Sequence, residues 1–119
     1  VKAEQQSGQW LFITARADQR ESLRPFMSAW LEIAINALMS LPSDEGRRLW
    51  FIIDELPALF KIPALLGGLA ETRKKGGCIL AGMQGMPQLH MIYHQSEAQS
   101  ILSLFNTLFF LSSPHESTT

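Results

Sequence analysis

The feature that most constrains the fold of this chain is a run of five apolar residues, Leu49 to Ile53, that ends abruptly in Asp54 and Glu55. β-Branched and aromatic side chains in an uninterrupted apolar run predict a strand that is buried on both faces. Pro57 follows closely, and because proline cannot donate a ladder hydrogen bond, the strand must end before it. The sequence therefore predicts a buried strand whose carboxyl end presents two adjacent acids.

The acidic pair at the end of this strand has two interpretations. In an open α/β sheet, ligands bind just beyond the carboxyl ends of the parallel strands, where Asp54 and Glu55 would stand. An apolar strand ending in Asp-Glu is also the Walker B pattern of P-loop ATPases. In that pattern one carboxylate holds the Mg²⁺ shell and the other polarises the attacking water. The alternative is a solvated turn or a helix N-cap, where carboxylates accept hydrogen bonds from unpaired N–H groups.

Composition and charge exclude several classes of protein. The 119 residues suffice for one domain, and 46% hydrophobic with 18% charged residues indicates a globular unit. A formal net charge of −1 provides no global attraction to nucleic acid or to an anionic membrane, so any DNA contact must be local or lie elsewhere. The single cysteine, Cys78, excludes an internal disulfide and indicates a reducing compartment. No apolar run approaches the ~20 residues that span a bilayer. We expect an excised piece of a longer protein.

Strands and helices are predicted to alternate along the chain. Besides the central strand, apolar runs predict strands at residues 10–14, 78–83 and 107–111. Helical signals start at a Ser22 N-cap, run over 64–75 and 88–93, and start again at a Ser96 N-cap. Crossovers of this length imply parallel strands joined by right-handed connections. We therefore predict an α/β fold with four mainly parallel strands and helices packed on the sheet.

The first predicted helix is apolar on more than one face. The Ser22 cap places Pro25 in the first turn, where the missing N–H costs little. One apolar stripe recurs at three- and four-residue steps, and a second one widens it. The first stripe consists of Phe26, Trp30, Ile33, Ala34, Ala37 and Leu41, and the second of Met27, Leu31, Ile35 and Leu38. We expect this helix to pack on the sheet and to be contacted by something else as well.

Two further polar residues are candidate site residues. Gln84 follows the strand at 78–83, at the same predicted sheet edge as the acidic pair, where a glutamine can orient water or sense a γ-phosphate. The alternative is that Gln84 is a turn residue whose side chain hydrogen-bonds to its own backbone. Two successive strands ending in polar groups favour function. Arg73 lies seven residues after Leu66 and is predicted to extend the core-facing stripe of its helix. It either covers apolar surface with its aliphatic stem or reaches a phosphate, for example one on a neighbouring subunit.

Several segments, taken in order, resemble TraD-type type IV coupling proteins of bacterial conjugation and, more distantly, FtsK-like DNA translocases. They are DELP at 54–57, ETRKKGGC at 71–78, GMQGMPQL at 82–89 and IY at 92–93. Residues 10–16, the long helix from Ser22 and residues 106–114 also fit the pattern, so the resemblance covers nearly the whole chain. The combination is specific, although no single motif is.

The resemblance implies a RecA-like motor in a hexameric ATPase anchored to the inner membrane. Such a motor, on the cytoplasmic face, pumps single-stranded DNA and its relaxase into a type IV secretion channel. The resemblance implies ATP and Mg²⁺ as cofactors. It assigns Asp54 to the Mg²⁺ shell, through water. It assigns Glu55 to water activation and Gln84 to nucleotide sensing. Arg73 becomes a candidate for phosphate sensing across the subunit interface, where an arginine finger can contribute ~10³–10⁵ in rate.

One departure from the family pattern limits this interpretation. The Walker A loop, G-x-x-x-x-G-K-[ST], does not occur in the chain, so its backbone cradle and its lysine for the phosphates are missing. We predict that residues 1–119 are the C-terminal part of the motor domain, with the Walker B, sensor and last strands. Alone, this piece is predicted not to hydrolyse ATP. The alternatives are a non-catalytic interaction or oligomerisation module and an FtsK-type translocase of double-stranded DNA.

Overall fold

The structure, a computed structural model, describes residues 8–44 and 46–111. Along the chain, the secondary-structure elements are α1 (Arg20–Ser40), β1 (Leu49–Ile53), a 3₁₀ turn (Leu56–Ala58), α2 (Pro63–Lys74), β2 (Gly77–Ala81), α3 (Met86–Ile92) and α4 (Gln95–Leu104). The two strands pair in parallel, from Leu49 opposite Gly77 to Ile53 opposite Ala81. Parallel neighbours need a crossover, and α2 provides it. The predicted α/β class is therefore confirmed.

One apolar core joins the helices to one face of the sheet. α1 packs along α2, and both α3 and α4 close the end of the core beyond the 3₁₀ turn. Side chains from every helix and from β1 meet there, among them Ile35, Leu38, Phe51, Ile53, Leu65, Leu89 and Ile101. Burying each such side chain contributes about 1.5–3 kcal/mol, so this cluster is the main source of stability. Gly68 of α2 permits the close approach of α1, because a Cβ there would lie 2.7 Å from Met39 Sδ.

Two of the four predicted strands are absent from the described residues. Residues 10–14 and 107–111 have no regular secondary structure. Their apolar side chains are exposed, as in Phe110 at 88%. An apolar run becomes a strand only where a neighbour completes its ladder, and within residues 8–44 and 46–111 the sheet consists of β1 and β2 alone. The prediction of four strands is therefore wrong for these segments.

The predicted burial of β1 on both faces is also wrong. Phe51 and Ile53 face the core, whereas Trp50 and Ile52 are 58% and 57% exposed. Leu80, which pairs with Ile52 across the sheet, is exposed on the same side. The continuous apolar run reflects two apolar faces, but the described helices cover only one of them.

The long helix α1 buries the second of its two apolar stripes. Ser28, Leu31, Ile35 and Leu38 are buried, whereas Phe26, Trp30 and Ile33 of the first stripe are exposed. Both stripes have helical spacing, so periodicity alone cannot choose between them. α1 packs mainly on α2, and its Leu38 side chain also lies close to Gly77 at the start of β2.

The helix boundaries shift by a few residues from their predicted positions. α1 begins at Arg20 after Gln19, so Ser22 is not its N-cap and Pro25 lies inside the helix, where it removes one backbone donor. α4 begins after His94, not Ser96, and the His94 N–H donates to Glu97 Oε2 at 3.2 Å.

Gly76, after α2, has a φ of +81°, the left-handed conformation that glycine commonly adopts just beyond a helix end. Alanine there would be strained, and its Cβ would also overlap the carbonyl oxygen of Arg47.

Tyr93 makes a polar contact inside the core. Its hydroxyl accepts a hydrogen bond from the Ile62 N–H at 3.0 Å, and its ring is fully buried. Burial raises the pKa of the Tyr93 phenol, and the hydrogen bond from Ile62 offsets this only in part. The pKa of the phenol is higher in the folded state than in the unfolded state, so the protonated Tyr93 hydroxyl favours folding. This stabilisation is complete below pH ~10 and is lost as the pH rises through the folded pKa.

Replacing Tyr93 with phenylalanine is expected to lower the free energy of unfolding by about 1–3 kcal/mol, because the buried Ile62 N–H loses its acceptor. Urea denaturation at neutral pH measures the change. Met91→Leu on the exposed side of α3 is the control and should change little. Equal stabilities for the Tyr93 and Met91 variants would contradict this role for the hydroxyl.

Candidate functional site

The carboxyl ends of β1 and β2 stay joined beyond the last paired residues. The Gly82 N–H donates to the Ile53 carbonyl oxygen at 2.8 Å, and the Leu56 N–H donates to the Gly82 carbonyl oxygen at 2.8 Å. These two bonds flank the acidic pair that follows β1, and they tie it to Gly82 at the start of the loop that carries Gln84. The backbone therefore fixes the two polar segments side by side.

Gly82 is required for this close approach. A Cβ at this position would overlap the carbonyl oxygen of Asp54. Gly82→Ala is therefore expected to lower the free energy of unfolding by about 1–3 kcal/mol and to push the acidic pair away from Gln84.

Gly67→Ala is the matched control for Gly82→Ala. Gly67 lies inside α2 and has open space around its Cα, so alanine there should stabilise by about 0.5–1 kcal/mol. Chemical denaturation compares the two variants. Equal effects of the same sign would contradict the crowding at Gly82.

Glu55 and Gln84 are in direct contact at this edge. Gln84 Nε2 donates to Glu55 Oε2 at 3.0 Å. The other oxygen, Oε1, is buried and has no hydrogen-bond partner within the part of the chain that the structure describes. Buried carboxylate oxygens are normally satisfied, so this atom calls for a donor such as a water molecule or a ligand group. Asp54 precedes Glu55 and is exposed to solvent.

A cavity of about 360 Å³ opens beside this pair. Its polar lining comes from three places in the sequence: Arg20 and Arg24 of α1, Glu55, and then Gln84 with Gln88. The exposed Arg20 guanidinium next to an acid and two amides suits a ligand that carries both negative charge and bound water. No local sequence pattern marks Arg20, Arg24 or Gln88 as site residues, because only the tertiary fold brings them to Glu55.

Arg73 lies at the opposite end of the sheet. It is exposed in the last turn of α2 and lines a second cavity, of about 720 Å³, with Arg48, Lys74 and Gly77. That cavity opens at the amino end of β2, and one five-residue strand, about 15 Å long, separates this end from the acidic pair.

The prediction that Arg73 extends the core-facing stripe is wrong. The buried position is Thr72, whose hydroxyl donates to the Leu69 carbonyl oxygen at 2.9 Å. The structure therefore brings Glu55 and Gln84 together, with Asp54 adjacent, but does not bring Arg73 to them within one chain.

Comparison with known proteins identifies the family to which this sheet edge belongs. The model of the type IV secretion-system coupling protein DNA-binding domain matches residues 1–119. The chain belongs to this family. The predicted membership among the type IV coupling proteins is thus confirmed. Coupling protein TraD of Escherichia coli (strain K12) is 45% identical over 114 residues, which make up 96% of this chain and 16% of that relative.

Solved structures of the plasmid coupling protein TrwB have the same fold over most of the chain. The complex of TrwB with ADP and Mg²⁺ matches with a TM-score of 0.76 and 41% identity, over 79% of this chain and 22% of that one. The complex with the non-hydrolysable ATP analogue ADPNP matches with a TM-score of 0.75, also at 41% identity, over 79% of this chain and 23% of that one. The chain thus spans less than a quarter of these coupling-protein relatives. None of the helices in residues 8–44 and 46–111 is long and apolar enough to cross a membrane.

Proposed function

We propose that residues 1–119 are the C-terminal part of a RecA-like motor domain in a longer coupling protein. The parent protein hydrolyses ATP to move single-stranded DNA, with its relaxase, into a type IV secretion channel during conjugation. It works as a homohexamer on the cytoplasmic face of the inner membrane. The observation that carries the proposal is the contact between Glu55 and Gln84 across the ends of two parallel strands, with one Glu55 oxygen left unpartnered among the described residues.

Asp54 suits a magnesium ion that is held mostly by phosphate and water. Mg²⁺ in nucleotide sites keeps several waters and takes only one or two protein carboxylates. Asp54 is exposed at the strand end, and no three potential ligand residues cluster anywhere in the described ranges, so the site would not be an all-protein cage. Bound Mg²⁺ neutralises charge that develops on the phosphates. The Walker A loop of the parent would hold those phosphates.

Glu55 is arranged to activate water. Gln84 holds Oε2, which fixes the carboxylate plane and leaves Oε1 to accept a proton from a water molecule. Because Gln84 lies in the loop between β2 and α3, its hydrogen bond to Glu55 links the position of the base to this loop. This link suits a residue that senses nucleotide state.

Arg73 would act on the nucleotide of a neighbouring subunit. It lies at the far end of the strand from Glu55, which supports a contact with the nucleotide of a neighbouring subunit. Among the described residues it has no ion-pair partner, whereas the adjacent Lys74 pairs with Glu71 at 2.8 Å. An exposed, unpaired guanidinium at the subunit surface is what a phosphate contact in trans requires.

Gln84→Ala in the full-length parent tests the proposed site. We expect kcat for ATP to fall by about 10²-fold, since a small misplacement of a catalytic group has this effect, with nucleotide affinity preserved. Gln99→Ala on the exposed side of α4 is the control and should leave kcat unchanged. Equal kcat values for the two variants would contradict the proposed role of Gln84.

The second candidate function is a non-catalytic interaction module. It is favoured by the apolar surfaces that the described residues leave uncovered, Phe26 with Ile33 on α1 and Trp50 with Leu80 on the sheet. The two functions differ in the parent protein. ATP turnover that depends on Glu55 favours the motor, whereas assembly without any turnover favours the module. Transport of double-stranded DNA would instead favour an FtsK-type translocase.

A further inference from the structure

The segment that follows Glu55 is held in place by side chains of α1. After the 3₁₀ turn, the chain runs through Leu59 and Phe60 before α2 begins. Arg24 Nη2 donates to the Leu59 carbonyl oxygen at 3.0 Å. The Phe60 N–H donates to the Ser28 hydroxyl at 2.8 Å. We call Arg24 and Ser28 the α1 clamp.

The geometry of Arg24 is specific to this contact. Its side chain is only 19% exposed, and its guanidinium carbon lies 4.4 Å from the centre of the Phe60 ring. Burying a guanidinium is unfavourable unless it gains partners. Its nearest carboxylate, Glu21, is 4.0 Å away and 90% exposed, which is a weak interaction. The contacts with Leu59 and Phe60 are therefore the main ones that hold Arg24 inside.

Ser28 is oriented for the same purpose. Its hydroxyl donates to the Arg24 carbonyl oxygen at 2.7 Å, which uses its proton and turns a lone pair towards the Phe60 N–H. The residue is buried in the middle of α1. A helical serine that bonds back to its own helix has little effect elsewhere, but here its oxygen also satisfies the backbone of another segment.

We propose that the α1 clamp positions Glu55 for catalysis by fixing the segment that follows it. The inference rests on the proposed function of Glu55. The residue is held on one side by Gln84 and by the backbone bond from Leu56 to Gly82. On the other side, the 3₁₀ turn is closed by bonds from the Ala58 N–H to the Glu55 carbonyl oxygen and from the Leu59 N–H to the Leu56 carbonyl oxygen, both at 3.1 Å. The clamp holds the segment that leaves this turn, at Leu59 and Phe60. Arg24 also lines the cavity beside Glu55, so α1 and the acid form one wall.

The clamp variants are Ser28→Ala and Arg24→Met, made in the full-length parent. Each is expected to lower kcat by about 10-fold or more and to change KM for ATP by less than about 2-fold, because the clamp fixes the base and does not hold the nucleotide. Ser28→Thr, which keeps the hydroxyl, should recover most of kcat. Ser40→Ala is the matched control: its hydroxyl donates to the Ala37 carbonyl oxygen at 2.7 Å in the same helix and makes no hydrogen bond to another segment within residues 8–44 and 46–111.

Hydrogen exchange separates a positioning role from general destabilisation. In Ser28→Ala, the amides of Leu56 and of residues 58–60 should exchange faster while those of α4 keep their rates. Faster exchange throughout the chain, with kcat and KM both altered, would reduce the clamp to a structural contact and overturn the inference. If Glu55→Gln abolishes turnover but both clamp variants keep kcat, the inference fails and the proposed function stands. If Glu55→Gln keeps turnover, the proposed function fails and the inference fails with it.

Discussion

Replacing Glu55 with glutamine in the full-length coupling protein is expected to reduce ATP turnover by about 10²–10⁴-fold and to leave nucleotide binding intact. Glutamine has the same shape, and its amide oxygen can still accept the hydrogen bond from Gln84 Nε2. The substitution therefore removes the base without moving its neighbours. Steady-state ATPase assays give the turnover, and equilibrium titration with a fluorescent ATP analogue gives the affinity.

Glu71→Gln is the matched control for Glu55→Gln. Glu71 is an exposed glutamate of α2, and its hydrogen bond with Lys74 lowers the pKa of its carboxyl group. Its loss should leave turnover unchanged. Hydrolysis at the normal rate in Glu55→Gln would remove Glu55 from the catalytic role.

Arg73→Ala is expected to abolish the stimulation of ATP hydrolysis that accompanies assembly, a loss of about 10³–10⁵-fold if the residue acts as an arginine finger. The physical reason is that Arg73 lies at the end of the sheet remote from Glu55, so the phosphate that it is proposed to contact belongs to a neighbouring subunit's nucleotide. ATPase activity measured against protein concentration gives the stimulation. Lys74→Ala is the control, because Lys74 is adjacent but already paired with Glu71.

Mixing two inactive variants tests whether Arg73 acts in trans. An interface between an Arg73→Ala subunit and a Glu55→Gln subunit can combine an intact Glu55 from the first with an intact Arg73 from the second. Mixed assemblies should therefore recover part of the activity that each variant alone lacks. No recovery on mixing, or activity of Arg73→Ala that rises normally on assembly, would contradict a finger at this position.

The meeting of Glu55 and Gln84 could be predicted because it depends on local rules. Two strands joined by a helical crossover run parallel, consecutive strands are most often neighbours, and parallel neighbours end at the same edge. The contact between the two side chains follows from this geometry. Their catalytic roles, and that of Asp54, stay predictions.

The failed strand predictions have one physical cause. The apolar runs at 10–14 and 107–111 predict side chains that are buried against a neighbour. Hydrophobicity does not reveal whether a strand is present to pair with them. In the described residues they remain exposed. The same reasoning applies to β1. Its apolar run predicts burial on both faces, but the described residues cover only one of them.

The site residues that the sequence did not reveal depend on long-range contacts. Arg24 reaches Leu59 across 35 residues of sequence, and no motif surrounds either position. The spacing from Leu66 and Leu69 predicts Arg73 on the buried face of α2, and this prediction is wrong. The buried stripe of α2 in fact passes through Gly68 and Thr72, where a glycine allows close packing that hydrophobicity does not register.

A structure of the assembled full-length protein with Mg²⁺ and a non-hydrolysable ATP analogue tests the central claim most directly. The expected result is a terminal phosphate beside the cavity that Glu55 and Gln84 line, with a water molecule on Glu55 Oε1 and the metal's water shell at Asp54. A nucleotide bound elsewhere, with Glu55 and Gln84 turned away from its phosphates, would contradict the motor function proposed for this sheet edge.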